Sequence, residues 1–102
     1  MTDDRWRDQL AHRILGWRGG PDRFIKSGRT WIPKWRFNPL TRLEDAFLLL
    51  DYAGGTYTLS LGPDGEFKVE VQLGDRIGKA TGEPKARVIT LAISRALGIG
   101  EE

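Results

Sequence analysis

The sequence predicts an α+β fold, a single small domain in which helices pack on the apolar face of an antiparallel three-stranded sheet. Three observations lead to this expectation. Apolar residues recur at helical spacing in three stretches, residues 56–73 alternate between apolar and polar side chains, and a length of 102 residues suits one core. The predicted order within this one domain, residues 1–102, is helix, extended segment, helix, two strands, a weaker third strand and a last helix.

The first helix is expected over about residues 3–16. Its apolar stripe consists of Trp6, Leu10, Ile14 and Trp17. These residues are spaced as on one face of a helix. Thr2 can cap the start of this helix, and Gly16 or Gly19 can end it because glycine readily adopts the left-handed conformation.

An extended segment is expected over residues 18–40. Glycine and proline are too frequent here for a helix to propagate, whereas the content of tryptophan, phenylalanine and isoleucine is too high for a solvated linker. We therefore expect this segment to lie on the domain, with its aromatic side chains docked into the core.

The second helix is expected over about residues 42–52. Thr41 and Glu44 have the spacing of a capping box, in which each side chain bonds the backbone N–H of the other residue. The apolar face behind it consists of Leu43, Ala46, Phe47 and Leu50. Gly54 and Gly55 are expected to terminate the helix.

A hairpin is expected over about residues 56–73, with its turn at residues 62–65. The alternation leaves one face of the hairpin apolar and the other polar, so the sheet should have one buried and one solvated side. A weaker strand is expected at about residues 76–80, with the glycines at 74, 78 and 82 as turn residues. The polar face should carry no helix, or at most one short amphipathic covering.

The last helix is expected over about residues 84–97, with Pro84 at its first position and Gly98 after its end. Its apolar face consists of Ala86, Ile89, Ala92, Ile93, Ala96 and Leu97. The small alanine side chains should let this helix approach the sheet closely.

Residues 38–47, with the sequence NPLTRLEDAF, resemble a conserved helix start in the phage ABA sandwich domain family of small bacteriophage proteins. In that family a first helix ends in Gly-Trp, a segment with tryptophan and proline follows, and the chain closes with an alanine-rich helix ending in Leu-Gly. The counterparts here are Gly16-Trp17, residues 31–37 and Leu97-Gly98. The sequence departs from the family at Leu40, where serine is usual, and at Arg42, where an acid is common.

The resemblance implies helices on both faces of a sheet, which the polar face of the predicted hairpin does not favour. It implies a phage or prophage origin, and it supplies no catalytic residues. A role that depends on an acidic cluster at the start of the second helix is also disfavoured, because Arg42 replaces the acid.

We predict no catalytic activity, no cofactor and no metal site. The chain has no cysteine and a single histidine, His12, which excludes thiol catalysis and a multi-histidine metal centre. The pair Gly78-Lys79 lacks the other residues of a phosphate-binding loop. Leu73 stands where that loop has a glycine, and Ala80 stands where it has serine or threonine.

Residues 18–42, which we call the basic aromatic segment, are the feature that points to a function. The segment contains seven Lys or Arg residues and one acidic residue, although the whole chain has a net charge of only +2. The candidate residues for binding a partner or nucleic acid are Arg18, Arg23, Lys26, Arg29, Trp31, Lys34, Trp35 and Arg36. Cations neutralise phosphates and aromatic rings stack on unpaired bases. The alternative is that the aromatic rings fill the core while the cations are solvated on a loop.

We expect a phage or prophage-encoded accessory protein that binds a host or phage macromolecule without catalysis, with inhibition of a host defence system as one form. A protein partner is favoured over nucleic acid, because the net charge is modest for a nucleic-acid-binding domain. The alternatives are a single-stranded nucleic-acid or RNA-binding module that uses residues 18–42, and a structural or homo-oligomeric phage protein.

The chain is expected in the bacterial cytoplasm, with no membrane partner. Its longest apolar run, residues 46–50, is far shorter than the ~20 residues that a membrane-spanning helix needs. The solvated face of the predicted sheet is the candidate interface for a homodimer.

Overall fold

The computed structural model of the protein describes residues 2–99, which form one small domain. These residues contain three α-helices and two three-stranded antiparallel sheets, which confirms the α+β class and adds a sheet that the sequence did not predict. The helices are α1 (Asp3–Leu10), α2 (Leu43–Ala53) and α3 (Lys85–Leu97). The first sheet consists of β1 (Arg18–Gly19), β2 (Arg23–Ser27) and β3 (Thr30–Pro33). The second sheet consists of β4 (Thr56–Leu61), β5 (Phe67–Leu73) and β6 (Arg76–Gly82).

The first helix starts and ends as local sequence signals require, but it changes type along its length. The Thr2 hydroxyl accepts a hydrogen bond from the Arg5 N–H at 3.2 Å, which caps α1. After Leu10 the chain continues as a wider π-helical turn, Ala11–Leu15. Gly16, at a φ of 73°, ends this turn in the left-handed conformation.

The prediction of one continuous extended segment over residues 18–40 is wrong. The chain is extended there, but it reverses twice and forms the first sheet, with β2 between β1 and β3. Gly28, at a φ of 54°, lies in the reversal between β2 and β3. A short 3-10 helix, Lys34–Arg36, follows β3. Glycine and proline therefore mark the turns of a small sheet here rather than breaks in a single extended chain.

The predicted capping box at the start of α2 is also wrong. The N-cap residue is Arg42, with no side-chain capping bond, and Thr41 lies outside the helix. The carbonyl oxygen of Asn38 accepts hydrogen bonds from the N–H groups of Thr41 and Arg42, at 3.2 and 2.8 Å. Glu44 accepts a hydrogen bond from the Arg42 guanidinium at 2.7 Å. Because a turn around Asn38 takes up these amides, the helix begins at Leu43.

The buried face of α2 differs by one position from the predicted face. Ala46 and Leu50 are buried as expected, and Leu49 is fully buried as well. Phe47 is only half-buried, and Leu43 is exposed. Leu43 is the first residue of α2, and its side chain lies outside the core.

The second sheet has the two faces that the alternating sequence predicts. Val69 and Val71 of β5 are buried, whereas Lys68, Glu70 and Gln72 of the same strand are exposed. The register places five exposed polar residues of the neighbouring strands opposite these three, together with the apolar Ile77 of β6; the five are Thr56, Thr58 and Ser60 of β4 and Lys79 and Thr81 of β6. Within residues 2–99, no helix covers this polar face. The third strand, β6, is as long as β5 and extends two residues beyond the predicted end.

Helix α3 packs on the apolar side of β5 and β6, and Gly78 permits this close approach. Gly78 lies in the middle of β6, opposite Val71, and is not the turn residue that the sequence suggested. A Cβ atom at Gly78 would lie 2.5 Å from the amide nitrogen of Ala96 and closer still to the carbonyl oxygen of Ala92. The alanine stripe of α3 therefore meets a glycine on the sheet, as the small side chains suggested. Pro84 is the N-cap of α3 rather than its first residue.

Two buried hydroxyl groups connect α3 to other parts of the chain. The Nε1–H of Trp6 donates to the Ser94 Oγ at 2.6 Å, and the Ser94 hydroxyl donates to the Thr90 carbonyl at 2.8 Å. The Thr90 hydroxyl donates to the Pro39 carbonyl at 2.7 Å. These bonds satisfy polar groups that would be costly to bury alone, and they join α1 and the approach to α2 to the centre of α3.

Candidate binding surface

The first sheet has an inner face and an outer face, which its register defines. Phe24 of β2 is fully buried and opposes Ile32 of β3. The neighbouring residue Ile25 opposes Arg18 on β1 and Trp31 on β3. Because successive side chains of a strand point to opposite faces, Arg18, Ile25 and Trp31 form a row on the outer face.

The inner face of the first sheet contributes to the core. The rings of Trp17, Phe24 and Phe37 contact one another, with centroids separated by 5.2 to 5.9 Å. Phe24 and Phe37 are buried, so the expectation that aromatic residues dock into the core is correct for these two. These contacts hold the basic aromatic segment against the helices.

Two tryptophans of the segment do not enter the core. Trp31 is 48% exposed and Trp35 is 75% exposed. The Arg23 guanidinium lies 4.2 Å from the centroid of the Trp31 ring, and that of Arg36 lies 5.9 Å from the Trp35 ring. Both distances are in the range of cation–π contacts. Each exposed tryptophan is therefore paired with an arginine at the surface.

Two of the predicted binding cations, and Arg42 beside them, are engaged in ion pairs. Lys34 contacts Asp8 of α1 at 2.8 Å, and its side chain is only 17% exposed. Arg23 contacts Asp22 at 3.1 Å, and Arg42 contacts Glu44 as described above. Lys34 therefore connects the end of the first sheet to α1.

Two of these ion pairs, Arg23–Asp22 and Arg42–Glu44, affect the ionisation of their carboxyl groups. The hydrogen bond from Arg23 holds the pKa of Asp22 below its ordinary value, and the hydrogen bond from Arg42 does the same for the pKa of Glu44. The pKa values of the two arginines are raised by the same hydrogen bonds. Both carboxylates stay ionised at neutral pH, so Asp22 offsets the charge of Arg23 there.

The other four predicted binding cations have no ion-paired carboxylate among residues 2–99 to offset their charge. No carboxylate among residues 2–99 lies within ion-pair distance of Arg18, Lys26, Arg29 or Arg36. Arg18, Lys26, Arg29 and Arg36 are all exposed. The unoffset positive charge of the segment is thus smaller than the sequence suggests, and it lies on the same short stretch as the two exposed tryptophans.

A groove of about 340 Å³ lies between the first sheet and α2. Its apolar lining includes Trp17, Ile32 and Leu48, and its charged lining is Lys26, Arg36 and the carboxylate of Asp45. The Lys26 Nζ lies 5.1 Å from the centroid of the Trp17 ring. Trp17 and Leu48 were not among the predicted site residues, because both are apolar and the sequence placed Trp17 on the apolar stripe of the first helix.

The polar face of the second sheet is a separate surface. It contains a shallow depression of about 270 Å³, lined mainly by short polar side chains and by Lys68, Glu70 and Lys79. Lys79 and Glu70 lie 3.3 Å apart in an exposed ion pair. Opposite charges are thus mixed here, and no acidic or basic patch is formed.

Residues 2–99 contain neither a metal-binding cluster nor a helix that could span a membrane. No group of three or more His, Asp or Glu side chains has a geometry that could hold a metal ion. None of the helices there has the length and apolar character needed to cross a membrane. His12, the single histidine, is exposed near the end of the first helix.

The elements described above define a class of small α+β domain with two sheets, an exposed polar sheet face and a basic aromatic surface. No family model and no curated protein sequence matches the chain. Among solved structures, it is similar to the 2.0 Å crystal structure of a phage protein from Bacillus cereus ATCC 14579, with a TM-score of 0.80 and 16% sequence identity. The similarity covers 100% of this chain and 93% of the other chain. At this level of identity it supports the fold of a phage protein, and it does not extend to membership of the ABA sandwich family.

Proposed function

We propose that this chain is a phage or prophage-encoded accessory protein of the bacterial cytoplasm that acts by binding an acidic surface on another protein, without catalysis or a cofactor. This proposal rests on the exposure of Trp35 beside Arg36, a cation that no carboxylate of residues 2–99 offsets, with the exposed Trp31 on the same segment. Tryptophan and arginine are the residues most enriched at the energetic centres of protein interfaces. Trp35 is 75% exposed, and covering its ring with a partner would remove apolar surface from water, which is favourable.

The charge distribution favours an acidic protein as that partner. Residues 1–42 have 10 basic and 4 acidic residues, whereas residues 43–102 have 6 basic and 10 acidic residues. The basic half attracts an acidic surface, while the acidic half repels a polyanion that extends beyond the binding site. Covering a partner's surface inhibits that partner without any chemistry, and inhibition of a host defence component is the form of this activity that we propose.

The second candidate function is binding of single-stranded nucleic acid or RNA. The exposed Trp35 ring next to Arg36 favours it, because an unpaired base stacks on such a ring while the arginine contacts phosphate. Affinity would then fall with salt at a slope near −0.7 for each phosphate contact.

A pull-down from host lysate with nuclease treatment separates the two candidates when it is combined with a matched pair of variants. Trp35→Ala removes the exposed ring of the basic segment, and Tyr52→Ala removes a ring of similar exposure, 63%, from the end of α2. We expect one protein to be retained by the parent chain and by Tyr52→Ala after nuclease treatment, and to be lost with Trp35→Ala.

The salt dependence of binding provides an independent readout. Neutralising Arg18, Arg29 and Arg36 together should slow association with the protein partner, and this effect should shrink as salt screens the charges. Lys34 is left unchanged because its contact with Asp8 is structural. If the three changes instead flatten the salt slope for single-stranded nucleic acid by about two units, the second candidate is correct. Retention unaffected by either set of changes would show that the basic aromatic segment is scaffold.

A further inference from the structure

Strand β4 is an unprotected edge of the second sheet. Within residues 2–99, β4 pairs with β5 alone, through six consecutive register pairs without a bulge. Its sequence, TYTLSL, contains no charged residue and no proline. The opposite edge, β6, contains Arg76 and Lys79. Natural proteins protect exposed edges with charges, prolines or bulges, and β4 has none of these.

The hydrogen-bond pattern of the hairpin shows which backbone groups of β4 face outward. The Gly62 N–H donates to the Glu66 carbonyl at 2.9 Å, which makes these two residues a hydrogen-bonded pair. Such pairs alternate along an antiparallel ladder. The even-numbered residues of β4 therefore bond to β5, and the N–H and C=O groups of Tyr57, Leu59 and Leu61 point away from the sheet.

The same three residues lie on the apolar face of the sheet, where α3 does not reach. Helix α3 packs on β5 and β6 and leaves β4 at the margin of the core. Tyr57 is 43% exposed and Leu61 is 62% exposed, and Leu59 is half-buried. The edge thus combines free backbone donors and acceptors with exposed apolar side chains.

We infer that this edge pairs with β4 of a second copy of the chain, which makes a continuous six-stranded sheet about a two-fold axis at Leu59. In this register Leu59 opposes Leu59 of the partner subunit, and Tyr57 opposes Leu61 of the partner subunit. These are the residues with outward backbone groups, and each pair exchanges two hydrogen bonds, so three pairs form about six bonds. The two exposed side chains of each copy cover those of the other.

The charges beside the edge are compatible with this two-fold arrangement. Glu70 opposes Thr58 across β4 and β5, and Lys68 opposes Ser60. When Thr58 pairs with Ser60 of the partner subunit, Glu70 lies in the same row as Lys68 of the partner subunit. Three strand spacings separate them, ~14 Å, so the charges attract weakly and no like charges oppose each other.

The small area of a single strand pair predicts a dimer of modest affinity. A pair of six-residue strands buries less than the ~1,200 Å² of a standard interface, so dissociation on the order of micromolar is expected. This interface differs from the solvated sheet face that the sequence suggested for a dimer. It is also independent of the basic aromatic segment, so it can be tested without knowing the partner proposed above.

Sedimentation equilibrium of the full chain tests the inference directly. The 11.5 kDa monomer should give way to a species of twice that mass as the protein concentration rises through the micromolar range. Leu61→Lys should weaken dimerisation about tenfold, because each dimer loses two apolar cross-strand contacts. Ile77→Lys, on the other edge strand and 54% exposed, is the matched control and should dimerise like the parent chain.

Further variants control for loss of folding and test the register. Circular dichroism should show that Leu61→Lys retains the native spectrum, and Tyr57→Lys is a second disruptive change at the opposing position. Combining Leu61→Lys with Tyr57→Glu places a carboxylate opposite each new lysine and should restore the dimer. Because the chain has no cysteine, Leu59→Cys should form an intermolecular disulfide under mild oxidation, whereas Ile77→Cys should not.

Several outcomes would overturn the inference. One is a parent chain that stays monomeric at several hundred micromolar, on the order of a hundred times the expected dissociation constant. Another is a dimer that Ile77→Lys disrupts and Leu61→Lys does not, which would place the interface on β6 or on the polar face. A dimer that the combined variant fails to restore, together with no disulfide at Leu59→Cys, would exclude the proposed register.

Discussion

Replacing Gly78 with alanine should push α3 away from the second sheet and destabilise the domain. The added Cβ would lie 2.5 Å from the Ala96 amide nitrogen and closer still to the Ala92 carbonyl oxygen, whereas ordinary contacts begin near 3.4 Å. Both neighbouring atoms belong to the backbone of the helix, so no side-chain rotation can relieve the contact. The helix and the strand must separate by about 1 Å at this point.

The size of the effect follows from two opposing contributions. Alanine in a strand is favoured over glycine by about 0.5–1 kcal/mol, because glycine loses more backbone freedom on folding. Overpacking a buried site typically costs about 1–3 kcal/mol, and here the strain is transmitted to a helix with eight buried residues. We expect a net loss of about 2 kcal/mol or more, which is a large fraction of the roughly 5–15 kcal/mol that stabilises a domain.

Urea denaturation followed by tryptophan fluorescence and far-ultraviolet circular dichroism measures this loss. With a slope of roughly 1 kcal/mol per molar urea for a chain of this size, the midpoint should fall by about 2 M. Thr81→Ala, an exposed change on the same strand, is the control and should stay within about 0.5 kcal/mol of the parent chain. Adding Ala92→Gly to Gly78→Ala should give no rescue, because the contact involves the backbone of Ala92 and not its side chain.

The reasoning is refuted if Gly78→Ala is as stable as the parent chain, or more stable. That result would mean that α3 lies farther from β6 than the structure shows, so that only the entropic gain of the substitution is observed. Rescue by Ala92→Gly would also contradict the argument, since it would assign the crowding to a side chain.

Two further predictions concern buried polar contacts and the start of α2. Ser94→Ala should cost about 1–3 kcal/mol, because the Nε1–H of Trp6 loses its acceptor in the core, and a blue-shifted and heterogeneous tryptophan emission should accompany the lower denaturation midpoint. Thr41→Ala should change the free energy of unfolding by less than about 0.5 kcal/mol, whereas Asn38→Ala should cost about 1 kcal/mol through loss of its side-chain hydrogen bond to the Leu40 N–H. A larger effect at Thr41 than at Asn38, measured by the same denaturation experiment, would restore the capping box and exclude the turn around Asn38.

The candidate binding surface was predictable in composition but not in arrangement. The excess of basic and aromatic residues over 18–42 is visible in the sequence. Arg23 and Arg42 pair with carboxylates close in sequence, but the pairing of Lys34 with Asp8 depends on a residue far away in the chain. The same holds for the tryptophans, since Trp17 packs against Phe37 while Trp35 is exposed. Local spacing does not distinguish these cases, because the turns of the first sheet decide which side chains meet the helices.

The start of α2 shows how a local signal can be overridden. Thr41 and Glu44 have the spacing of a capping box, but the neighbouring Asn38 and Arg42 compete for the same hydrogen-bonding groups. Asn38 is held in place by the Asp45 carboxylate, which accepts a hydrogen bond from its N–H at 2.9 Å. The preceding turn satisfies the amides first, and the helix starts after it.

The sequence by itself determined the three helices, the β4–β5 hairpin and its two faces, because the periodicity of apolar residues is a local property that burial of one face requires. It also determined the uneven charge. The tertiary structure alone decided that residues 18–33 form the first sheet, that Gly78 is a contact point for α3, and that the outward backbone groups of β4 coincide with its exposed apolar side chains. Each of these depends on which distant segments of the chain contact one another. Such contacts do not produce a periodic pattern of apolar residues, so they cannot be read from a single sequence.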